Sequence, residues 1–190
     1  GKTINCQILV GLQYADLWNT WPINIRLYLP DEWAGDLKRC RKAHIPKDIQ
    51  FNSKSNIALK LLDIADDAGV PHKTVVFNLD YGKCQPFLEG LEKREKYYVG
   101  EVPHDFEVSL PEKQEKGKAG NIAIDLSGNA WHTVTWRHRR YGLQSKQFAF
   151  NKAYRITNKN ITSTPSPGWL IHERPIPKKK NIIKCYFSNL

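Results

Sequence analysis

The chain has 190 residues, of which 41% are hydrophobic and 25% charged, values that are ordinary for a folded protein and exclude a disordered tail. No apolar run approaches the ~20 residues that a bilayer-spanning helix needs, so we expect no membrane partner. The four cysteines show no C-x-x-C spacing, which favours reduced thiols in a cytoplasmic protein over a zinc site or a disulfide framework. The absence of methionine indicates a piece of a longer protein.

The formal charge of +10 is unevenly distributed along the chain. Residues 1–125 hold 17 basic and 18 acidic side chains, whereas residues 126–190 hold 12 basic side chains and a single acidic one, Glu173. The second segment therefore carries a net charge of +11, and aromatic residues are interleaved with its cations. This pattern predicts binding to a polyanion such as nucleic acid, the alternative being a solvated basic face whose aromatic side chains belong to the core.

The first half of the chain alternates between strand-like and helix-like segments. The predicted elements are strands at residues 4–14, 23–29, 73–79 and 97–102, and helices at residues 54–68 and 86–95. The first helix carries its apolar positions on one stripe, and Gly69 ends it. Short connections between alternating strands and helices are typical of parallel strands joined through crossover helices.

After Pro103 the pattern changes to short strands separated by turns. The predicted strands are residues 106–110, 121–126, 131–137, 147–156, 169–173 and 183–188, with loops at residues 112–120 and 162–168. These strands predict an antiparallel, β-rich segment that is inserted into or appended to the α/β part. We therefore expect two domains, residues 1–103 and residues 104–190.

Asn78 is the most informative polar position. It closes a predicted strand at its carboxyl end, the edge at which open α/β sheets place their chemistry. If the strand remains extended, Asp80 lies on the same face, about 6.5 Å further along. The favoured alternative is an asparagine that only caps a turn. The six histidines show no metal-ligand spacing, and no nucleophile elbow or phosphate-binding glycine loop is present.

Three strings occur in a familiar order. Residues 26–33 are RLYLPDEW, residues 75–82 are VVFNLDYG and residues 169–175 are WLIHERP. With them, essentially the whole chain resembles bacterial insertion-sequence transposases of the DDE superfamily. The resemblance implies an α/β fold, namely a partial RNase H-like mixed sheet with crossover helices plus a β-rich antiparallel insertion. It also implies three carboxylates that hold two Mg²⁺ ions during attack on a phosphodiester.

The chain departs from the family pattern at the implied catalytic positions. The resemblance places the first aspartate before residue 1, the second at Asn78 and the final glutamate after Leu190. An amide oxygen brings no formal charge to a metal, and Asp80 is only a weak substitute reached by a register shift. Because one carboxylate cannot assemble a two-metal site, we expect that Mg²⁺ is not bound productively and that this chain does not cut or join DNA.

The resemblance therefore predicts a truncated, catalytically incompetent DDE transposase. Its expected partners are DNA, as transposon end and target, and an intact transposase or a second copy of the chain. The predicted phosphate contacts are Arg137, Arg139, Arg140, Lys146, Lys152 and Arg155. Two alternatives stay open: a non-catalytic remnant that competes for DNA or for an intact transposase, and a relic without function whose uncovered sheet faces favour aggregation.

Overall fold

The computed structural model describes residues 7–47, 49–111, 115–138, 141–156, 167–176 and 183–190. The chain divides into two compact units, residues 1–72 and residues 73–190. The domain boundary predicted at residue 103 lies inside the second unit and stays a prediction.

The first unit is a strand hairpin with helices. Its described elements are β1 (Ile8–Ala15), β2 (Thr20–Tyr28), α1 (Asp31–Ala34), α2 (Leu37–Lys42) and α3 (Lys54–Asp67). β1 and β2 pair antiparallel, and the Asp16 carboxylate accepts hydrogen bonds from the backbone amides of Trp18 and Asn19 at their turn. The predicted helix at residues 54–68 is confirmed as α3. The Ser53 hydroxyl caps it, and it packs against both strands.

The second unit begins with the predicted parallel crossover. Its first elements are β3 (Val75–Phe77), α4 (Leu79–Gly82), α5 (Gln85–Glu92) and β4 (Tyr98–Val102). β3 and β4 pair in parallel, so the expected strand–helix–strand unit is confirmed. A Cβ on Gly100 of β4 would lie 1.8 Å from the ring of Phe77, so a glycine at this position lets that ring lie across the strand.

The rest of the second unit extends the same sheet with antiparallel strands. Its elements are β5 (Glu107–Leu110), β6 (Glu115–Lys118), α6 (Ala119–Ile124), a 3-10 turn (Gly128–Ala130), β7 (His132–His138), β8 (Gly142–Arg155), β9 (Pro167–Pro175) and β10 (Lys184–Ser188). Among the described residues the strand order is β3-β4-β10-β9-β8-β5-β6, with β7 also paired to β8. The predicted fold class, a partial RNase H-like mixed α/β sheet with a β-rich antiparallel addition, is confirmed.

Two predicted segments after residue 110 are wrong. The strand expected at residues 121–126 is the helix α6, because its buried residues Ala119 and Ala123 are four apart, although the alternation of apolar residues resembled a strand. The loop expected at residues 112–120 contains β6 and the start of α6, and its residues 112–114 lie outside the described part. The last two residues of the loop expected at residues 162–168 belong to β9, and residues 162–166 are also outside the described part.

The core of the second unit lies between α5 and one face of the sheet. Its largest buried side chains include Leu88, Leu91, Tyr98, Leu170 and Phe187. The ring of Phe77 meets that of Phe87 edge-on at 5.1 Å and that of Tyr98 at 5.6 Å, so aromatic contacts join helix and strands. None of the helices in the described ranges has the length and apolar character that a membrane span requires.

Candidate functional site

Asn78 lies between β3 and α4, at the edge of the sheet that was predicted for chemistry. Its side-chain Oδ1 accepts a hydrogen bond from the backbone amide of Asp80 at 3.2 Å, so Asn78 is the N-cap of α4. The chain does not stay extended beyond Asn78, and Asp80 occupies the first turn of a helix. The extended arrangement of the two side chains is therefore wrong, and the capping alternative describes Asn78.

Gly82 allows α4 to lie directly against β4. A Cβ on Gly82 would lie 1.8 Å from the carbonyl oxygen of Glu101 in β4, so α4 contacts the strand at a distance that only glycine permits. Tyr81 packs its ring against Phe87 at 4.9 Å, and burial together with the charge of Asp80 raises the pKa of Tyr81. These contacts fix α4 against β4 and thereby fix Asn78 at the end of β3.

The oxygen atoms near Asn78 are engaged in local contacts. The Asp80 carboxylate pairs with the Lys83 ammonium at 2.8 Å, and both side chains are exposed. Within the part of the chain that the structure describes, no group of three His, Cys, Asp or Glu side chains is placed to hold a metal ion. One capping amide and one paired carboxylate do not fit a pair of divalent ions, which require several anionic oxygens.

The predicted phosphate-binding residues occupy different environments. Arg137 lies in β7, in which every residue is exposed, while Arg139 and Arg140 lie outside the described residues. Lys146 of β8 forms an ion pair with Glu173, and its Nζ lies 6.0 Å from the centroid of the Trp136 ring.

Lys152 is exposed further along β8. Its Nζ lies 5.9 Å from the centroid of the Trp169 ring on β9, the strand that pairs with β8. The structure therefore leaves Lys152 available at the surface, as it does Arg137.

Arg155 differs from the other cations because it points into the protein. Only 5% of its side chain is exposed, and its Nε donates to Glu92 Oε1 at 3.1 Å. The Tyr98 hydroxyl donates to the same carboxylate oxygen at 3.0 Å, and burial together with the Glu92 charge raises the pKa of Tyr98. Arg155 thus serves a buried polar network between α5, β4 and β8.

Sequence reasoning missed the polar side chains beside Arg137. Thr135 and Ser145 are opposite each other on β7 and β8, and their hydroxyl oxygens are 2.7 Å apart. The signal that was available is the alternation of residues 132–138, in which every second side chain belongs to one face of the strand.

Comparison with known proteins places most of this chain in one group. A family model described as DDE superfamily endonuclease matches residues 1–142, which is 142 of the 190 residues. The matched range contains Asn78 and Arg137 and ends before Lys146. Among curated proteins, none matches the chain significantly.

Proposed function

The chain belongs to the DDE superfamily endonucleases, and from that premise we propose that it binds DNA in a transposase-type system without cutting the DNA itself. The resemblance found in the sequence is confirmed at the level of the superfamily. Because the family acts on DNA, a polyanion is the expected partner of the strongly basic residues 126–190.

The proposal that the chain does not cut DNA rests on the role of Asn78. Members of the superfamily generally use divalent metal ions, which prefer anionic oxygen ligands. At this position the chain supplies a neutral amide whose oxygen already caps α4, and the neighbouring Asp80 carboxylate is paired with Lys83. Even if other segments added carboxylates, the position of Asn78 would still have no negative charge. The donor set at this position therefore does not fit a metal-dependent nuclease.

DNA binding is supported by the exposed cations of the second unit. Arg137 and Lys152 are exposed on β7 and β8, and no carboxylate occurs in the sequence between Asp125 and Glu173. Arg139 and Arg140 lie outside the described residues, and we include them among the proposed phosphate contacts because of their place in the basic sequence. We leave Arg155 out of the set because Glu92 already neutralises its buried guanidinium.

A DNA-bound protein that does not cut would compete with an intact transposase. A copy that occupies a transposon end removes that end from the reaction, since both proteins need the same DNA. We therefore include the competitor role in the proposal, with transposon-end DNA and intact transposase, or a second copy of this chain, as its partners.

The test incubates the 190-residue chain with supercoiled plasmid and with a short labelled duplex, with and without Mg²⁺. We expect a retarded complex whose affinity falls steeply with salt, and no nicked or joined product at any Mg²⁺ concentration. Asn78→Asp, which restores one carboxylate, is the matched variant and should bind equally well without nicking. Mg²⁺-dependent nicking by the unmodified chain, abolished by Asn78→Ala, would contradict the proposal, as would an affinity that does not respond to salt.

A further inference from the structure

A two-stranded ribbon extends beyond the antiparallel part of the second sheet. Among the described residues, β8 pairs with β9 from Lys146 onward, whereas it pairs with β7 as far as Gly142. Four residue pairs, from Thr135–Ser145 to His138–Gly142, therefore lie beyond the last pair with β9. We call residues 135–138 and 142–145 the β7–β8 ribbon.

The ribbon is exposed to solvent on both of its faces. All the residues of β7 are exposed, and on the opposite strand Leu143 is 71% exposed. A stacked contact between the rings of His138 and Tyr141, with centroids 4.8 Å apart, joins the end of β7 to the turn. A polar pairing, Thr135–Ser145, lies at its base. The protein thus holds an extended hairpin outside its core, where a separate molecule has access to both faces.

The dimensions of the ribbon suit one groove of duplex DNA. Four residues of extended strand span ~14 Å at ~3.4 Å per residue. The major groove is about 8.5 Å deep and about 12 Å wide, and it admits a two-stranded ribbon, whereas the minor groove is only about 6 Å wide. The free part of the ribbon is therefore long enough to reach the floor of a major groove while the rest of the sheet stays outside.

The charge of the ribbon is complementary to DNA. Arg137 lies on the ribbon, Arg139 and Arg140 follow it in the sequence, and no carboxylate occurs from residue 126 to residue 172. Glu173, on the neighbouring strand β9, is paired with Lys146 at the base of the ribbon. The sequence from residue 126 to residue 172 is therefore positively charged without a carboxylate, a balance that favours contact with a phosphate backbone.

The two faces of the ribbon differ in chemistry. Thr135, Arg137 and Ser145 share one face, and Trp136 with Gln144 lies on the other, because paired residues of neighbouring strands point to the same side. Hydroxyl and guanidinium groups are among the side-chain groups that read base edges in the major groove, and an arginine contact to guanine is the commonest specific one. From this arrangement we infer that the β7–β8 ribbon enters the major groove of duplex DNA with the Arg137 face toward the bases. This inference rests on the proposed function as a DNA-binding protein.

The first test compares Arg137→Ala with Lys93→Ala in the 190-residue chain. Both variants remove one positive charge from an exposed position of the second unit, but Lys93 is outside the ribbon. We expect Arg137→Ala to weaken duplex binding by about tenfold or more. We also expect the slope of log affinity against log salt to stay close to that of the unmodified chain, because a guanidinium that faces the bases neutralises no phosphate. Lys93→Ala should change neither, and circular dichroism should show that both variants are folded.

The second test locates the DNA directly. The variants Leu143→Cys and Ile124→Cys each place a cysteine at an exposed position, on the ribbon and on α6 respectively. The replaced side chains are similarly exposed, 71% for Leu143 and 77% for Ile124. Each variant is labelled with a photoactivated cross-linker and irradiated with duplex DNA, with the unmodified chain as background. We expect cross-links from position 143 only, and we expect methylation of guanine N7 in the major groove to interfere with binding.

The outcomes separate the two proposals. Duplex binding that is unchanged by Arg137→Ala, equal cross-linking from both positions, competition by a minor-groove ligand, or a preference for single strands would overturn the ribbon inference while DNA binding stands. A chain that binds no DNA at any salt concentration would overturn both.

Discussion

The guanidinium of Arg155 donates hydrogen bonds to the carboxylate of Glu92, a residue 63 positions earlier in the chain. The hydroxyl of Tyr98 joins the same carboxylate, so α5, β4 and the end of β8 share one polar cluster. Arg155, which the sequence analysis grouped with surface arginines and lysines, is therefore a buried residue whose charge is paired inside the protein.

Arg155→Ala should destabilise the second unit without changing how it binds DNA. The substitution leaves the Glu92 carboxylate without its counter-charge, and we expect the free energy of unfolding to fall by roughly 2 to 3 kcal/mol. This is below the cost for a fully buried pair because the Glu92 side chain is 39% exposed. Urea denaturation measures the change, and the salt slope of duplex binding should stay that of the unmodified chain.

Lys152→Ala is the control for Arg155→Ala, since Lys152 is an exposed cation of the same strand. It should leave stability nearly unchanged and reduce the salt slope of DNA binding. A folded Arg155→Ala variant with a reduced salt slope would mean that the guanidinium contacts phosphate after all.

Gly82→Ala should be severely destabilising. The added methyl group would lie 1.8 Å from the Glu101 carbonyl oxygen, so α4 or β4 must move, and we expect a loss of about 3 kcal/mol or more. Gly128→Ala is the matched control, because a Cβ at Gly128 has no heavy atom within 4 Å. Thermal unfolding of the two variants distinguishes them, and equal midpoints would contradict the close contact between α4 and β4.

Asn78 should tolerate aspartate better than alanine. Alanine removes the hydrogen bond to the Asp80 amide, and the loss of an N-cap costs about 1 kcal/mol, whereas aspartate retains an acceptor oxygen. Chemical denaturation of Asn78→Ala and Asn78→Asp checks this order. An alanine variant as stable as the unmodified chain would show that the cap contributes nothing to α4.

Stability should fall as the pH drops below about 6.5, the ordinary pKa of histidine, through the protonation of His172 in the unfolded state. His172 is fully buried, and its Nε2 lies 2.9 Å from the carbonyl oxygen of Ala119. Burial lowers the pKa of His172, and the charge of His104 adds to this, although the hydrogen bond to Ala119 opposes it. Below pH ~6.5 the unfolded chain therefore binds a proton at His172 that the folded chain does not bind. The contribution of the neutral His172 to the free energy of unfolding is present above pH ~6.5 and is lost as the pH falls below it.

The measurement is the free energy of unfolding as a function of pH from neutral to about pH 5, across the histidine range. His172→Gln keeps an amide donor for Ala119 and removes the titration, so its stability should depend less on pH in this interval. His132→Gln, at an exposed position of β7, is the control and should leave the pH dependence as it is. Identical pH profiles for all three proteins would exclude His172 as the cause.

Several features of this protein follow from the order of its residues alone. The apolar stripe of α3, the strand–helix–strand pattern of residues 73–102 and the strings shared with the DDE superfamily are properties of near neighbours, and periodicity detects them. The accumulation of positive charge after residue 125 is likewise visible without any coordinates.

Other features were decided only when distant segments packed together. The packing of Gly82 on β4 holds the helix that Asn78 caps, and the buried guanidinium of Arg155 is hydrogen-bonded to Glu92 of α5. Within the described part of the chain, the β7–β8 ribbon extends past Lys146, where the pairing of β8 with β9 ends. Local propensity sets which backbone conformation a segment favours, but the face that a side chain presents and the partner it meets depend on contacts between residues far apart in sequence.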